Sequence, residues 1–204
     1  GKGIVLCKDT PNFIGNRMAF GTGAFAMDFI LNNDYTVDEV DVLTGSLMGR
    51  PKTATFRLMD LVGIDVWDHV GRNLAPLILY DKLGQKYLAA EKPAKLISTL
   101  IERNWLGNKT KVGFYKEVRD ADGKKEFYSL DLKTLEHVAP TKPRFDSVKA
   151  AKDVPELGDR LKVMFAEHAD DKAAALVKAF TYQAFQYAST IIPEVADSAK
   201  PIDD

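Results

Sequence analysis

Residues 8–17, with the sequence KDTPNFIGNR, have the types expected of a small polar site at the start of a helix. Pro11 ends the preceding apolar run, and the spacing places Asn16 one turn into the helix that follows. A carboxamide there offers both a donor and an acceptor, which suits a bound carbonyl or ribose. Alternatively, Asn16 and Arg17 only satisfy neighbouring backbone groups, and composition alone favours this second interpretation.

Other chemistries find no support in the sequence. His69, His137 and His168 are far apart and belong to no HExxH motif or Cys/His cluster, so no metal site is predicted. The chain contains neither a glycine-rich phosphate loop nor a GxSxG elbow, so it predicts no nucleotide site and no hydrolase triad. His69 lies between apolar residues and is predicted to be a hydrogen-bonded packing residue.

The composition is that of an ordinary globular protein. The 204 residues include 28 Lys and Arg against 29 Asp and Glu, so the net charge of −1 does not indicate a polyanion-binding surface. Hydrophobic residues make up 46% of the chain, enough for a substantial core. A single cysteine, Cys7, and the lack of a membrane-length apolar run or signal-peptide pattern predict a cytoplasmic protein.

The elements that position residues 8–17 are predicted to be mainly helical. Apolar residues recur at helical spacing from Phe13 onward, and Gly21 and Gly23 within this helix predict close approach of another element. A capping box starting at Thr36 begins a second helix that Gly45 ends. Three more helices are predicted: one over residues 56–62 before Gly63, one capped by Asp65, and one from about Pro93 to Gly107.

Two stretches have the pattern of strands rather than helices. Residues 3–7 are a short apolar run without a nearby partner, which predicts the last strand of a sheet that lies upstream. Residues 113–118 and 126–130 flank the turn sequence at 120–123 and predict a β-hairpin. After the hairpin, the strongest periodic stretch runs from Ala173 and is predicted to end at Pro193.

Five ordered motifs resemble the 3-hydroxyacyl-CoA dehydrogenase family. Residues 8–17 resemble the KDTPGFxxNR junction between its NAD-binding and C-terminal domains. The segments at 36–41, 49–51 and 56–65, followed by NKTKVGFY at 108–115, resemble its helix start, G-x-P turn, F-E-L-x-D-x-V-G-L-D segment and K-x-G-x-GFY element. Asn12, Gly15 and Lys111 depart from the usual residues. The longer segment at 51–56 is similar to the branch fused to an enoyl-CoA hydratase.

The resemblance implies a fold and a division of the chain. It implies a mainly α structure, a helical bundle like the C-terminal domain of 6-phosphogluconate dehydrogenase, with a short β-hairpin and a remnant N-terminal strand. Residues 1–10 would be the remnant strand and junction of a missing NAD-binding domain. Residues 11–170 would be the helical C-terminal domain, and residues 171–204 the start of a second, truncated copy of it.

The resemblance also implies a reaction, the oxidation of (S)-3-hydroxyacyl-CoA by NAD in fatty-acid β-oxidation. The catalytic histidine, its glutamate and the NAD site would precede this chain, which would bind neither cofactor nor metal and would be inactive alone. The catalytic asparagine of the family is carried over onto Asn16. Lys52, Thr53, Phe56 and Lys109 would lie in the substrate half, near the acyl-CoA. The expected partners are the upstream NAD-binding domain, an enoyl-CoA hydratase domain and a second copy in a homodimer.

Two other functions stay open at this point. The chain could be a helical dimerisation module without an active-site role, or part of a 3-hydroxybutyryl-CoA dehydrogenase of fermentative metabolism. An internal repeat bears on the first alternative, because Phe180, Ala184, Tyr187 and Ile191 repeat the spacing of the first helix. The repeated helix must bury its apolar stripe on the first copy or against another molecule, and we expect the intermolecular arrangement.

Overall fold

A computed structural model describes residues 4–119, 122–166 and 170–203. These residues form a mainly α fold, as predicted, with a small antiparallel sheet inserted between the sixth and seventh helices. The helices are α1 Gly15–Asn32, α2 Val37–Thr44, α3 Phe56–Val62, α4 Ile64–Leu74, α5 Lys82–Leu88, α6 Glu91–Glu102, α7 Asp146–Ala151, α8 Leu157–Phe165, α9 Lys172–Val195 and α10 Lys200–Asp203. The strands are β1 Tyr115–Arg119, β2 Lys125–Leu130 and β3 His137–Val138.

Helix boundaries set by local hydrogen bonds agree with the sequence. The Thr36 side chain accepts from the backbone N–H of Glu39, and the Glu39 carboxylate accepts from the N–H of Thr36, so the capping box of α2 is confirmed. Gly63 ends α3 with a φ of 107°, a backbone conformation that residues with a Cβ atom rarely adopt.

Three other boundaries differ from the prediction. Gly63, not Asp65, precedes α4, and Asp65 lies in the first turn, where its carboxylate suits the positive end of the helix. Helix α6 ends at Glu102 rather than near Gly107. Helix α9 continues past Pro193 to Val195, although Pro193 has no N–H to donate to the carbonyl four residues before it, and the N–H of Ala196 still donates to the carbonyl of Ile192.

The hairpin is confirmed, and a third strand extends it. Strand β1 pairs antiparallel with β2 from Tyr115 opposite Ser129 to Arg119 opposite Lys125, and β3 pairs with the end of β2. Residues 120 and 121 of the predicted turn lie outside the described residues.

The N-terminal run forms no strand over residues 4–7. Ile4 and Leu6 are 92% and 86% exposed, because this part of the chain offers them no ladder partner. The run instead leads to the end of α9, where the N–H of Lys8 donates to the carbonyl of Val195 at 2.9 Å. Lys8 Nζ also pairs with Asp197 at 2.8 Å.

The apolar stripe of α9 is buried within this chain, so the expected intermolecular burial is wrong. Leu176, Val177 and Tyr187 are fully buried, and Phe180 contacts the rings of Phe25 and Phe29 on α1. Helix α1 packs against α5, α6 and α9. The apolar stripe of α9 packs on the first copy, and this contact removes its apolar surface from water without a second molecule.

Candidate functional site

Asn16 lies in the first turn of α1 with an exposed side chain. Ile14 precedes the helix and gives it no side-chain cap, and the first turn contains no acidic residue. The positive end of the helix therefore keeps free N–H donors beside the carboxamide. Together they form a surface that can donate hydrogen bonds to a carbonyl oxygen.

The next residue, Arg17, is fully buried and ties three helices together. Its Nη1 and Nη2 atoms donate to the two carboxylate oxygens of Glu194 at 3.1 and 2.7 Å, at the end of α9. Its Nε donates to Asp81 Oδ2 and to the Tyr187 hydroxyl oxygen, both at 3.2 Å. The Tyr187 hydroxyl donates in turn to Asp81 Oδ2 at 2.7 Å, and Asp81 Oδ1 caps α5 by accepting from the N–H of Gly84 at 2.6 Å. We call Arg17, Asp81, Tyr187 and Glu194 the Arg17 cluster.

The electrostatics of the Arg17 cluster favour its charged form. Burial alone would lower the pKa of Arg17, but the hydrogen bonds with Glu194 and Tyr187 more than compensate, and the pKa is raised. Burial and the hydrogen bond to Asp81 raise the pKa of Tyr187, so its hydroxyl stays protonated. The Arg17 cluster therefore fixes the turn that carries Asn16 through a bidentate ion pair and several buried hydrogen bonds.

A cavity of about 770 Å³ follows α1 from Ala19 to Met27. We call it the α1 cavity. It begins at Ala19, about one turn beyond Asn16 along the helix. Its walls are mostly apolar and come from several helices: Phe20, Gly23, Met27, Leu58, Met59, Trp67, Leu88, Ile97, Phe180 and Ala184.

Lys52 and Thr53 lie before α3, in a loop next to a second cavity of about 310 Å³. Lys52 is exposed and lines this cavity together with Asp41 and Tyr115. Asp41 holds the start of α3, accepting from the N–H groups of Thr55 and Phe56 at 3.0 and 2.7 Å.

Phe56, by contrast, points away from solvent. It is 0% exposed, and its ring centre lies 4.5 Å from that of Phe114 in the core.

Lys109 is exposed and forms an ion pair with Asp65 in the first turn of α4. The hydrogen bond from Lys109 lowers the pKa of Asp65 and outweighs the opposing effect of burial. Among the described hydrogen bonds and ion pairs, none joins Asn16, Lys52, Thr53 and Lys109 to one another. The α1 cavity extends from the Asn16 region to the Lys52 loop. Its walls include Ala19, near Asn16, and Thr55, near Lys52.

The described residues do not fit a dinucleotide. Their three strands form one antiparallel sheet, whereas NAD binds at the end of a parallel strand that leads through a glycine-rich turn into a helix. The same residues contain no group of three or more His, Cys, Asp and Glu side chains placed to hold a metal ion. Within the described ranges no helix is both long and apolar enough to span a membrane.

Comparison with known proteins identifies the family. Residues 13–117 match the profile of the 3-hydroxyacyl-CoA dehydrogenase C-terminal domain. The chain belongs to the 3-hydroxyacyl-CoA dehydrogenase family. Over 203 residues it is 37% identical to a "Probable 3-hydroxyacyl-CoA dehydrogenase" of Bacillus subtilis, covering all of this chain and 24% of that protein. No solved structure gave a significant match.

Two further relatives extend this result. A "Probable 3-hydroxyacyl-CoA dehydrogenase" of Deinococcus radiodurans is 33% identical over 62% of the chain and 35% of its own length. A "Fatty acid oxidation complex subunit alpha" of Acinetobacter baylyi is 32% identical over 79% of the chain and 20% of its own length. The chain thus spans between a fifth and about a third of the length of these three relatives.

Sequence reasoning missed the Arg17 cluster and the polar lining of the α1 cavity. Arg17 was interpreted as a residue that satisfies local backbone groups, although its partners lie 64 to 177 positions away. A signal existed in Tyr187 and Gln183, two polar residues on the otherwise apolar face of α9. His69, predicted to be a packing residue, is exposed and hydrogen-bonds Asn73. His168 lies outside the described residues.

Proposed function

We propose that this chain is the substrate-side unit of an NAD-dependent 3-hydroxyacyl-CoA dehydrogenase of fatty-acid β-oxidation. The main supporting observation is that two adjacent residues in the uncapped first turn of α1 differ in burial. The side chain of Asn16 is exposed, whereas that of Arg17 is buried. Such an amide is free to donate to a substrate carbonyl while its helix turn is held rigidly. In this proposal Asn16 binds the carbonyl oxygen that forms at C3 and steadies the catalytic base.

The remaining chemistry is assigned to residues outside this chain. During oxidation the hydride leaves C3 for NAD, and a histidine oriented by a glutamate accepts the hydroxyl proton. We assign both residues and the NAD site to a domain that precedes Lys8. On this basis we expect the 204-residue chain alone to be inactive and not to bind NAD.

The substrate-binding residues are proposed around the loop before α3. Lys52 and Thr53 are accessible there for the polar part of an acyl-CoA, and Lys109 offers a second exposed cation. Phe56, fully buried against Phe114, contributes by shaping the core behind this loop.

Larger assemblies form part of the same proposal. The Acinetobacter relative is named a fatty acid oxidation complex subunit, and a Rickettsia prowazekii relative a putative fatty acid oxidation complex trifunctional enzyme. An enoyl-CoA hydratase domain in the same polypeptide would agree with these names. A homodimer is proposed to use Tyr182 and Phe185, which are 58% and 66% exposed on α9.

The proposal is tested by Asn16→Ala in a protein in which this chain follows its NAD-binding domain. We expect kcat for 3-hydroxyacyl-CoA oxidation to fall about 10- to 1,000-fold, as on removal of a positioned donor. The matched control is Asn73→Ala, which changes another exposed helical asparagine and leaves kcat intact. Unchanged turnover in Asn16→Ala would favour a purely structural helical module. Turnover with four-carbon substrates only would favour a 3-hydroxybutyryl-CoA dehydrogenase.

A further inference from the structure

The segment that leads into α1 contacts the C-terminal end of α9, residues 193–197, which we call the α9 end. The backbone N–H of Lys8 donates to the carbonyl of Val195 at 2.9 Å. The Nζ atom of Lys8 donates to the carbonyl of Pro193 at 3.1 Å and forms an ion pair with Asp197 at 2.8 Å. One residue near the start of the chain thus makes three contacts with residues about 185 positions later.

These contacts complete the end of the helix. The last carbonyls of an α-helix have no partner within the helix, and they carry the negative end of its dipole. The last turn of α9 contains no basic residue, so Lys8 supplies both the donors and the positive charge there. The ion pair with Asp197 alone would contribute little, because its side chains are 42% and 92% exposed. The two carbonyl contacts therefore determine where Lys8 lies.

The α9 end also contacts the first turn of α1. The carboxylate of Glu194 accepts from both Nη atoms of Arg17, and this ion pair is largely removed from solvent, with side chains 27% and 0% exposed. A carboxylate in the last turn of a helix is unfavourable beside the negative end of the dipole, so Glu194 requires the cation that Arg17 provides. Between Lys8 and Arg17 in the sequence, Ile14 packs in the same apolar cluster as Val195.

The segment from Lys8 to Arg17 is therefore restrained at both of its ends by one helix terminus. Before this segment, residues 4–7 form no strand, and Ile4 and Leu6 are exposed. The direction in which the chain enters this fold is consequently set at Lys8. Asn16 lies within the same restrained segment, directly before Arg17.

We propose that the α9 end sets the orientation of the domain that precedes Lys8 relative to Asn16, with Lys8 and Glu194 as positioning residues. This inference rests on the proposed function, which assigns the NAD site and the catalytic base to that domain. Hydride transfer requires reacting atoms about 3–3.5 Å apart, and a displacement of about 1 Å can slow a reaction about 100-fold. A segment restrained at both ends limits such a displacement, although neither Lys8 nor Glu194 needs to touch the substrate.

The restraint itself is measured in the 204-residue chain without an activity assay. Cys7 is the only cysteine, is exposed and directly precedes Lys8, so a nitroxide label on it reports the motion of this segment. We expect a slow-motion EPR spectrum for the parent chain and narrower lines for Lys8→Met, which loses both Nζ contacts. Glu194→Gln should also narrow the lines, because a neutral amide cannot keep the bidentate ion pair. Lys8→Arg keeps the charge and should keep the slow-motion spectrum.

The effect on catalysis is measured in a protein in which this chain follows its NAD-binding domain. We expect Lys8→Met and Glu194→Gln to lower kcat about tenfold, while KM for 3-hydroxyacyl-CoA changes less than about threefold. A substrate deuterated at C3 should show a larger isotope effect on kcat in both variants, because hydride transfer becomes slower relative to product release. Lys8→Arg should restore most of the turnover. A merely structural role would lower the midpoint of urea unfolding without changing the isotope effect.

The matched control is Asp159→Asn, which neutralises another helical carboxylate, one paired with Lys162 at 2.8 Å on α8. It should change neither the EPR spectrum nor kcat. The inference is overturned if the label on the parent chain is already as mobile as on Lys8→Met. It is also overturned if both positioning variants leave kcat and the isotope effect unchanged. Unchanged turnover in Asn16→Ala would contradict the proposed role of Asn16 alone, because the isotope effects of Lys8→Met and Glu194→Gln still test the orientation of the preceding domain.

Discussion

Arg17 directly follows Asn16 in the sequence, yet the two side chains have opposite environments. Asn16 faces solvent, whereas Arg17 is completely buried among Asp81, Tyr187 and Glu194. Adjacent helical residues differ by about 100° in direction, so one turn can present an amide outward while it is anchored inward. The exposed residue is proposed to perform chemistry, and the buried one to position it.

Removing the buried cation should unfold the start of the bundle. Arg17→Leu leaves the Asp81 carboxylate buried without its charge partner, and we expect the free energy of unfolding to fall by about 3–5 kcal/mol. Arg72→Leu, which breaks an exposed pair with Asp68, should change it by less than about 1 kcal/mol. Urea unfolding measures both. Similar losses in the two variants would contradict a structural role for the Arg17 cluster.

Asp60 should give the chain a measurable dependence of stability on pH. Burial raises the pKa of Asp60 to about 6, despite hydrogen bonds from the N–H groups of Phe114 and Tyr115 at 2.9 and 2.8 Å. Between pH 3.8, which equals the ordinary pKa of Asp, and about pH 6, the folded state binds more protons than the unfolded state. The contribution of Asp60 to the free energy of unfolding therefore falls as pH rises through this range, by up to roughly 3 kcal/mol.

The comparison variant for this pH dependence is Asp60→Asn, which cannot titrate. Its unfolding free energy should lack this decline when urea unfolding is measured from pH 4 to pH 7. Asp65→Asn serves as a control that should leave the decline between pH 4 and pH 7 unchanged, because Lys109 lowers the pKa of Asp65 below its ordinary value of 3.8. Parallel curves for the parent chain and Asp60→Asn would show that Asp60 does not titrate in this range.

At the scale of elements, close packing of α1 against α9 requires Gly21 more than Gly23. A Cβ atom at Gly21 would overlap Cε1 and Cζ of the Tyr187 ring, whereas one at Gly23 meets only an ordinary contact. Gly21→Ala should lower the thermal midpoint although alanine is the better helix former. Gly23→Ala should raise it, by the equivalent of about 0.5–1 kcal/mol. Differential scanning calorimetry decides the signs, and a stabilised Gly21→Ala would refute the close packing.

Predictability from sequence follows the range of the interactions involved. The capping box of α2 and the end of α3 at Gly63 were predictable because their hydrogen bonds and backbone angles are local. The burial of Arg17 was not, because its partners belong to α5 and α9, which only the tertiary fold brings together. Asn16 is proposed from the family motif, while the buried amide of Gln183 is recognised only from its missing hydrogen-bond partners.

For the whole molecule, the segment that resembles a second repeat is an integral part of the first unit. Helix α9 contributes fully buried residues to the main core and to a second apolar cluster with Ile14. It also supplies two members of the Arg17 cluster, Tyr187 and Glu194. The site at the start of α1 therefore depends on residues about 170 positions later in the chain.

A truncation should expose this dependence. Deleting residues 170–204 uncovers the Phe25 and Phe29 face of α1 and leaves Arg17 without Tyr187 and Glu194. We expect residues 1–169 to lose their cooperative unfolding transition and to bind a hydrophobic dye such as ANS, since the remaining core is incomplete. Deleting only residues 197–204 removes α10 but keeps α9, so this control should still unfold in one transition. Circular dichroism during a urea titration distinguishes the two deletions. A cooperative transition of unchanged midpoint in the 1–169 chain would mean that α9 is a separate unit resting on an independently stable bundle.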